Sequence, residues 1–352
     1  MSALSLDACR AVTDTASLDH PNGSVKASDW SGLWFKIIED TRGEYVGMRG
    51  GKRRPDGSIE WTFLSHASYD GLGGFVHLLR RDHGAARVAV PVRKSRIPSL
   101  MARTVALLRL VAKKPEAAAA WKNMDQSAQV KRTMPGTAFA TELFDPECTQ
   151  QLTQKARALG IPLNSVLLAA LGRASKGHLG AGPARWIMPV NMRGPVALAN
   201  DTANQTGYLH IELPPDATPA QAHEQMKLAL RRRDHWATWL FLNAGRIVGY
   251  RGIRAIYKMQ MYRFEGRPFV GAFTNLGSWD GHGEWFVCPP VAATCPVSAG
   301  AIVCNGRLSL TIEAHPSVAG GATWARALMV RWITELRGIR IARPARTRVR
   351  EW

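Results

Sequence analysis

The sequence predicts an α/β protein of two lobes, on three observations. Short runs with strand-like alternation are interleaved with runs of helical period, the pattern of layered sheet and helix. No self-similar period of about 20 to 50 residues marks a repeat architecture. The 352 residues correspond to about two domains, or one large bilobed one. With hydrophobic residues at 46% and charged residues at 21%, the chain can bury a sizeable core and does not fit the disordered class.

Taken in order, Gly57–Ser65 alternates apolar and polar residues as a strand does and runs straight into His66-Ala-Ser-Tyr-Asp-Gly71. Leu72–Arg81 reads as a helix opening on a glycine-rich turn. Pro98–Pro115 has a helical period, with Leu100, Val105, Leu107, Leu108, Leu110 and Val111 as its apolar positions. The Ala-rich, polar stretch Lys114–Pro135 is the expected linker. Thr137–Phe144 is strand-like. The next helix starts with Asp145 as N-cap and Pro146 at the first helical position, and stops at Gly160. Pro162–Ser175 carries the strongest helical period. Strands follow at Arg185–Val190 and Tyr208–Leu213, then a helix at Thr218–Arg233. A strand at Pro268–Phe273 leads into Thr274-Asn275-Leu276-Gly277. A hairpin turns at Asn305-Gly306 between Ser298–Cys304 and Leu308–Ala314. The last helix spans Gly321–Leu336. The expected division is a first lobe over 1–135, a second over 136–336, and a basic tail over 337–352, where Arg337, Arg340, Arg343, Arg346, Arg348 and Arg350 stand.

A net charge of +19 draws anions: nucleic acid, an acidic membrane surface, an acidic carrier protein or a phosphate-bearing cosubstrate. No helix-turn-helix, RRM or zinc-finger signature supports nucleic acid. The five cysteines (Cys9, Cys148, Cys288, Cys295 and Cys304) are odd in number and form no C-x-x-C pair. The expectation is therefore free thiols in a reducing cytosol, with neither a disulfide framework nor a zinc site. The start of the chain lacks the basic-then-apolar order of a leader, and no window of about 18 apolar residues is present. The expected location is cytoplasmic, with peripheral contact to an anionic membrane as an option. For the basic, apolar segment 231–263, a core helix with snorkelling arginines is favoured over an interfacial helix that collects lipid-like substrate.

One motif carries chemistry. H-x-x-x-D-G occurs once, at His66, Asp70 and Gly71, where a predicted strand meets a glycine-rich turn. A neutral imidazole near pH 7 can take a proton from a hydroxyl or amine as it attacks a thioester. Asp70 is suited to anchor the loop that aims the imidazole, with Arg193 as its candidate partner. Gly71 is expected to hold a backbone shape that a side chain would obstruct. The competing structural reading makes His66 a corner residue satisfied by backbone bonds, with Asp70 as the N-cap of the following helix. No G-x-S-x-G elbow and no Cys–His pairing point to an acyl-enzyme.

At these residues the chain resembles the CoA-dependent acyltransferase superfamily of chloramphenicol acetyltransferase, condensation domains and wax ester synthase/diacylglycerol acyltransferases, nearest to the last branch. The superfamily signature is H-H-x-x-x-D-G with the second His as base. Ser65 here takes the first position and His66 the second. Four further segments follow in the expected order. Gly160-Ile-Pro-Leu-Asn-Ser-Val-Leu-Leu-Ala-Ala170 is similar to a G-x-x-x-N-D-V-x-L-A helix, and Trp186-Ile-Met-Pro-Val-Asn-Met-Arg193 to a strand ending in P-V-N-x-R. Asn204-Gln-Thr-Gly-Tyr-Leu-His-Ile-Glu-Leu-Pro214 is similar to an N-x-x-G...P strand, and Phe273-Thr-Asn-Leu-Gly277 to an S-N-x-x-G turn. No P-L-W or D-F-G-W-G element is present, and only 65 residues precede His66; the expectation is either an abbreviated first lobe or a truncated start.

The resemblance implies two chloramphenicol-acetyltransferase-like lobes, with mixed sheets and flanking helices, and His66 in a tunnel between them. It implies transfer of an acyl group from acyl-CoA, a cosubstrate rather than a tightly held cofactor, to a small hydroxyl or amine acceptor. His66 would be the base and Asp70 its anchor. Gly71, Asn164, Arg193, Thr274 and Asn275 are the candidate supporting residues, Thr274 or Asn275 as an oxyanion donor. Asn164 and Asn275 have ordinary alternatives as a helix-start and a turn residue. The alternatives are a condensation-type enzyme that uses a carrier-protein thioester, and an inactive basic module for anionic lipid or nucleic acid.

Overall fold

The computed structural model describes residues 29–42, 46–84, 88–112, 118–124, 138–263, 269–281, 283–292 and 294–339. Within them the order is α1 (Trp30–Arg42), β1 (Gly47–Arg53), β2 (Ile59–Ser65), α2 (Gly71–His83), α3 (Leu100–Ala112), β3 (Phe139–Leu143), α4 (Pro146–Ala158), α5 (Leu163–Ser175), β4 (Ala184–Asn191), β5 (Thr206–Leu213), α6 (Pro219–Arg231), α7 (Asp234–Leu242), α8 (Gly245–Arg263), β6 (Gly271–Trp279), β7 (Trp285–Cys288), β8 (Val297–Cys304), β9 (Arg307–Ala314) and α9 (Gly321–Arg337). Most predicted elements stand within a few residues of their expected bounds. The tail beyond residue 339 and most of the predicted linker lie outside the described residues.

The strands form two sheets, so the chain is mixed α/β. An antiparallel three-stranded sheet has the order β2-β1-β7, and a six-stranded sheet the order β3-β9-β8-β6-β4-β5. In the larger sheet β6 runs parallel to both β4 and β8, while the remaining pairs are antiparallel. Its core gathers α5 and α9, with Trp186, Phe273 and Trp332 among the fully buried side chains. The period of α5 is apolar nearly all round (Val166, Leu167, Leu168, Ala169, Ala170 and Leu171 are buried), which suits a helix covered on most sides. The second core packs Phe75, Val76, Leu78 and Leu79 of α2 against Met48, Leu64 and Trp285.

Local signals behave as read at several ends. Asp145 accepts from Cys148 N and Pro146 opens α4, while Gly160 takes φ 67 just beyond its end. Thr218 and Gln221 close a reciprocal capping box on α6. Asn305 (φ 50) and Gly306 (φ 75) turn the β8–β9 hairpin.

Four differences have physical causes. Thr274–Gly277 is strand rather than turn: β6 continues beside β8 through a bulge between Asn275 and Ser278. Residues 118–124, inside the predicted linker, belong to the larger core, where Trp121 donates its indole N–H to Val270 O at 2.7 Å. The segment 231–263 is not one helix: α7 is followed by α8, which is itself broken at Gly249 (φ 65, ψ -178), and Trp236 and Trp239 of α7 are buried while Ile247, Val248 and Tyr250 around the break are exposed. Finally, α1 and β1 had no sequence signal that we read. The two sheets also share a buried ion pair, Arg49 Nε of β1 to Glu313 Oε1 of β9 at 3.2 Å. Burial pushes the Glu313 carboxyl up to about 7, against the pull of Arg49.

Among the described residues no single helix is long and apolar enough to cross a membrane, and no cluster of His, Cys, Asp or Glu could hold a metal ion. Cys148, Cys288, Cys295 and Cys304 are free thiols.

Candidate active site

His66 stands immediately after the last residue of β2 and starts a tight turn. Its N–H donates to Val46 O at 2.8 Å, and Ser68 N and Tyr69 N both donate to Ser65 O at 3.0 Å. Ser65, where the superfamily pattern has its first His, is spent on structure: its hydroxyl donates to Glu39 Oε1 of α1 at 2.7 Å and accepts from Ala67 N at 3.1 Å. The His66 side chain is 6% exposed and meets the Phe35 ring edge-on at 5.2 Å. Its Nδ1 has no hydrogen-bond partner. Burial pulls its pKa down from 6.5 to about 4, with the Asp70 charge and the Tyr69 backbone acting in the opposite direction. That direction favours the neutral imidazole at pH 7.

Asp70 turns away from the imidazole and ties the turn to the other sheet. Its Oδ1 caps α2 through Gly73 N at 2.6 Å. Arg193, just beyond β4, holds it with two parallel bonds, Nη1 to Oδ2 at 2.9 Å and Nη2 to Oδ1 at 3.1 Å. Gln205 N (2.8 Å) and Thr206 Oγ1 (3.0 Å) also donate to Oδ2. Arg193 spends its remaining donors on Asp201 O (2.7 Å), Ala203 O (2.8 Å) and Asn191 Oδ1 (3.3 Å). The pair is buried on both sides, at 4% and 2% exposure. Such a bidentate, charge-assisted contact fixes direction as well as distance. Asp70 thus fills both roles weighed from the sequence, helix cap and partner of Arg193.

Gly71 requires correction. It does not have positive φ, and an added Cβ would meet only Leu276 Cδ2 at 3.8 Å. The obligatory position is Gly73, where a Cβ would collide with Thr202 O and sit 2.7 Å from Arg193 Nη2. We expect Gly73→Ala to lose about 1–3 kcal/mol through overpacking of this seam. Gly71→Ala, in a helical conformation, should be neutral or gain a few tenths of a kcal/mol. Thermal melts of the two variants check the contrast.

Asn164 and Asn275 come together: Asn275 Nδ2 donates to Asn164 Oδ1 at 2.6 Å. Asn275 Oδ1 also accepts from Gly277 N at 2.9 Å, inside the bulge. One hydrogen of the Asn275 amide remains for another acceptor. Asn164 is not the helix cap, a position held by Pro162. Thr274 is buried beside Asn275 on β6.

Three polar neighbours were missed. Asn204, fully buried, donates to His66 O at 3.2 Å, and its Oδ1 has no partner. Tyr208, half-buried on β5, has its phenol pushed up by burial and by the Asp70 charge, with the Asn204 side chain opposing. Asp29 caps the start of α1 through Gly32 N at 2.8 Å. Burial and the Asp70 charge drive its carboxyl up to about 6, against backbone bonds from Gly32 and Asn204. Asn204 and Tyr208 stood in a quoted motif but were read as landmarks; Asp29 precedes the helix that was not predicted.

No protein-family model matches the chain, and no curated protein matches it. Solved structures do. The NRPS cyclization-docking bidomain EpoB from Sorangium cellulosum superposes with a TM-score of 0.53 at 13% identity, over 78% of this chain and 59% of that one. Its second crystal form gives 0.52 at 14% identity, over 78% and 58%. A wax ester synthase/diacylglycerol acyltransferase from Marinobacter aquaeolei VT8 gives 0.46 at 13% identity, over 79% and 66%. The chain has the two-lobe fold of condensation-domain-like proteins, and spans about three-fifths of the length of the bidomain it matches.

Proposed function

We propose that the chain transfers an acyl group from a thioester to a hydroxyl or amine, with His66 as general base and acyl-CoA as the donor. The observation that carries this reading is a buried, neutral imidazole with an unpartnered Nδ1, on a turn bound to both sheets. The acceptor oxygen or nitrogen attacks the thioester carbonyl while its proton passes to the imidazole. The C–S bond then breaks, and the proton goes on to the departing thiolate. No acyl-enzyme forms. Asp70 and Arg193 position the base and handle no proton. Asn204 holds the His66 carbonyl. Thr274 or the remaining amide hydrogen of Asn275 serves the oxyanion. Two reactants held at one point react as one molecule, which supplies much of the rate. The reaction site is a tunnel between the lobes, and the protein works in the cytoplasm.

A carrier-protein thioester is the second donor to test, because a charge of +19 suits an acidic carrier as well as CoA phosphates. Purified protein is incubated with several acyl-CoAs and pools of amines and alcohols, and product and free thiol are read together. Thiol release matched by product supports the proposal. Turnover with acyl-carrier protein alone selects the second donor. A folded protein that turns over neither, yet binds DNA with salt dependence, is the basic module instead.

The pH profile tests the base directly. Only neutral imidazole accepts a proton, so kcat/KM should be level from about pH 6 upward and fall about tenfold per unit below the His66 pKa of about 4. Asp29 titrates near 6 in the same neighbourhood, so the profile is repeated on Asp29→Asn. An inflection near 6.5 that survives this change would mean a solvated imidazole, contrary to the buried one described.

A further inference from the structure

The helix α3 is apolar on its exposed side as well as on its packed one. Leu100, Met101, Val105, Leu108 and Val111 are all exposed, Met101 to 79%, Leu100 to 68% and Leu108 to 62%. At about 100° per residue these five fall within an arc of about 140°. The buried Ala106 lies about 170° from the centre of that arc. The opposite side of α3 is the one that packs: Ala106 is buried there, Leu107 and Leu110 are half-buried, and the Arg103 guanidinium lies 5.6 Å from the Trp236 ring centroid of α7. Five large apolar side chains in one exposed stripe are more than the scattered singles of an ordinary surface.

The stretch of sequence that carries this stripe has charge of one sign. Residues 83–115 contain eight Lys or Arg and no Asp or Glu. Among them, Lys94, Arg96 and Arg109 are exposed, and Arg96 is followed by exposed Ile97. Apolar side chains on a convex face, with cations at their margins, match the layered chemistry of an anionic bilayer surface, where acyl chains lie beneath phosphate headgroups.

The position of α3 gives the contact a use. The extended strap that leads into it lies on the loop that carries Arg193: Arg93 N donates to Arg193 O at 2.9 Å and Asn191 Nδ2 to Pro91 O at 2.8 Å.

We propose that α3 and its basic strap form the face by which this protein lies on an anionic lipid surface. From the sequence, an interfacial role is weighed for 231–263, as the less favoured alternative, and not for α3. The proposal rests on surface chemistry and stands apart from the acyl-transfer reading, since its test needs no substrate.

The full chain is sedimented with vesicles of phosphatidylcholine alone, or with about 30% phosphatidylglycerol, and across salt from about 0.05 to 0.5 M. Binding is expected only to the anionic vesicles and to weaken as salt rises. Met101→Asp/Leu108→Asp and, separately, Lys94→Glu/Arg96→Glu should each bind at least about tenfold more weakly, with near-UV circular dichroism unchanged. Deletion of 340–352 should leave most of the binding in place. The proposal fails if the wild type ignores anionic vesicles, or if either double variant, folded, binds as well as wild type. It fails equally if the wild type ignores the vesicles and is a dimer that Met101→Asp/Leu108→Asp splits, which makes a second copy the occupant.

Discussion

His66→Ala should leave a folded protein that transfers acyl groups about 10² to 10⁴ times more slowly, the range for losing a positioned general base. The fold should survive because the side chain makes no hydrogen bond at Nδ1. What the backbone of His66 contributes, to Val46 O and from Asn204 Nδ2, does not depend on the imidazole. Truncation removes an edge contact to Phe35 and the imidazole's bond to the Tyr69 backbone, both local to the turn. Residual turnover comes from proximity and oxyanion donation. Acyl-CoA affinity should change little, because the imidazole meets the acceptor's proton and not the CoA phosphates. Stopped assays of product, with dissociation constants from calorimetry, separate the two quantities. Full activity in a folded His66→Ala protein would sink the mechanism and return His66 to a corner residue.

Periodicity recovers which residues share a face, and little else. The α5 helix was legible because its apolar residues outnumber any competing pattern, and the β8–β9 hairpin because Asn-Gly fits its turn. In α3 the period was right, but of its six apolar positions only Leu107 and Leu110 turn toward the packed side, while Leu100, Val105, Leu108 and Val111 face solvent: periodicity does not say which apolar residues the core receives. β1, with sequence GMRGGKR, has neither alternation nor propensity for a strand. It is a strand because β2 and β7 pair with it from both sides, information that lies elsewhere in the chain. Thr274–Gly277 carries turn chemistry locally, yet parallel pairing to β8 continues through it.

In the candidate site, residue type pointed to His66 as the proposed base and to Asp70 and Arg193 as an anchoring pair. His66, Asp70 and Arg193 are each suited to one task, and the structure joins the last two as expected. It does not follow from sequence that Gly73 rather than Gly71 is the tight position, since that depends on Thr202 O arriving from another lobe. Asn204 was unreadable for a similar reason. An asparagine in a strand-leading loop is ordinary until its amide is seen to hold the carbonyl of the base.

Asp70→Asn should be the most destabilising conservative change in the chain. Three donors converge on Oδ2, from Arg193 Nη1, Gln205 N and Thr206 Oγ1, and two on Oδ1, from Gly73 N and Arg193 Nη2. An amide can present one oxygen only. Whichever way it sits, its NH₂ faces donors, and the buried Arg193 loses its counter-charge. Breaking a buried pair from one side costs about 3–5 kcal/mol, and we expect a loss of that size in denaturant titrations. Rate should fall with it, because the turn that aims His66 is held by the same bonds. Arg193→Lys should not spare the site, since an ammonium cannot replace the parallel bonds while also reaching Asp201 O and Ala203 O. Asp70→Asn/Arg193→Met removes the orphaned charge, so its cost should be smaller than the sum of the single changes by about 0.5–3 kcal/mol. A double variant that is no better than additive would mean the charges act independently. An Asp70→Asn protein as stable as wild type but inactive would move Asp70 from anchor to a direct electrostatic role at the reacting atoms.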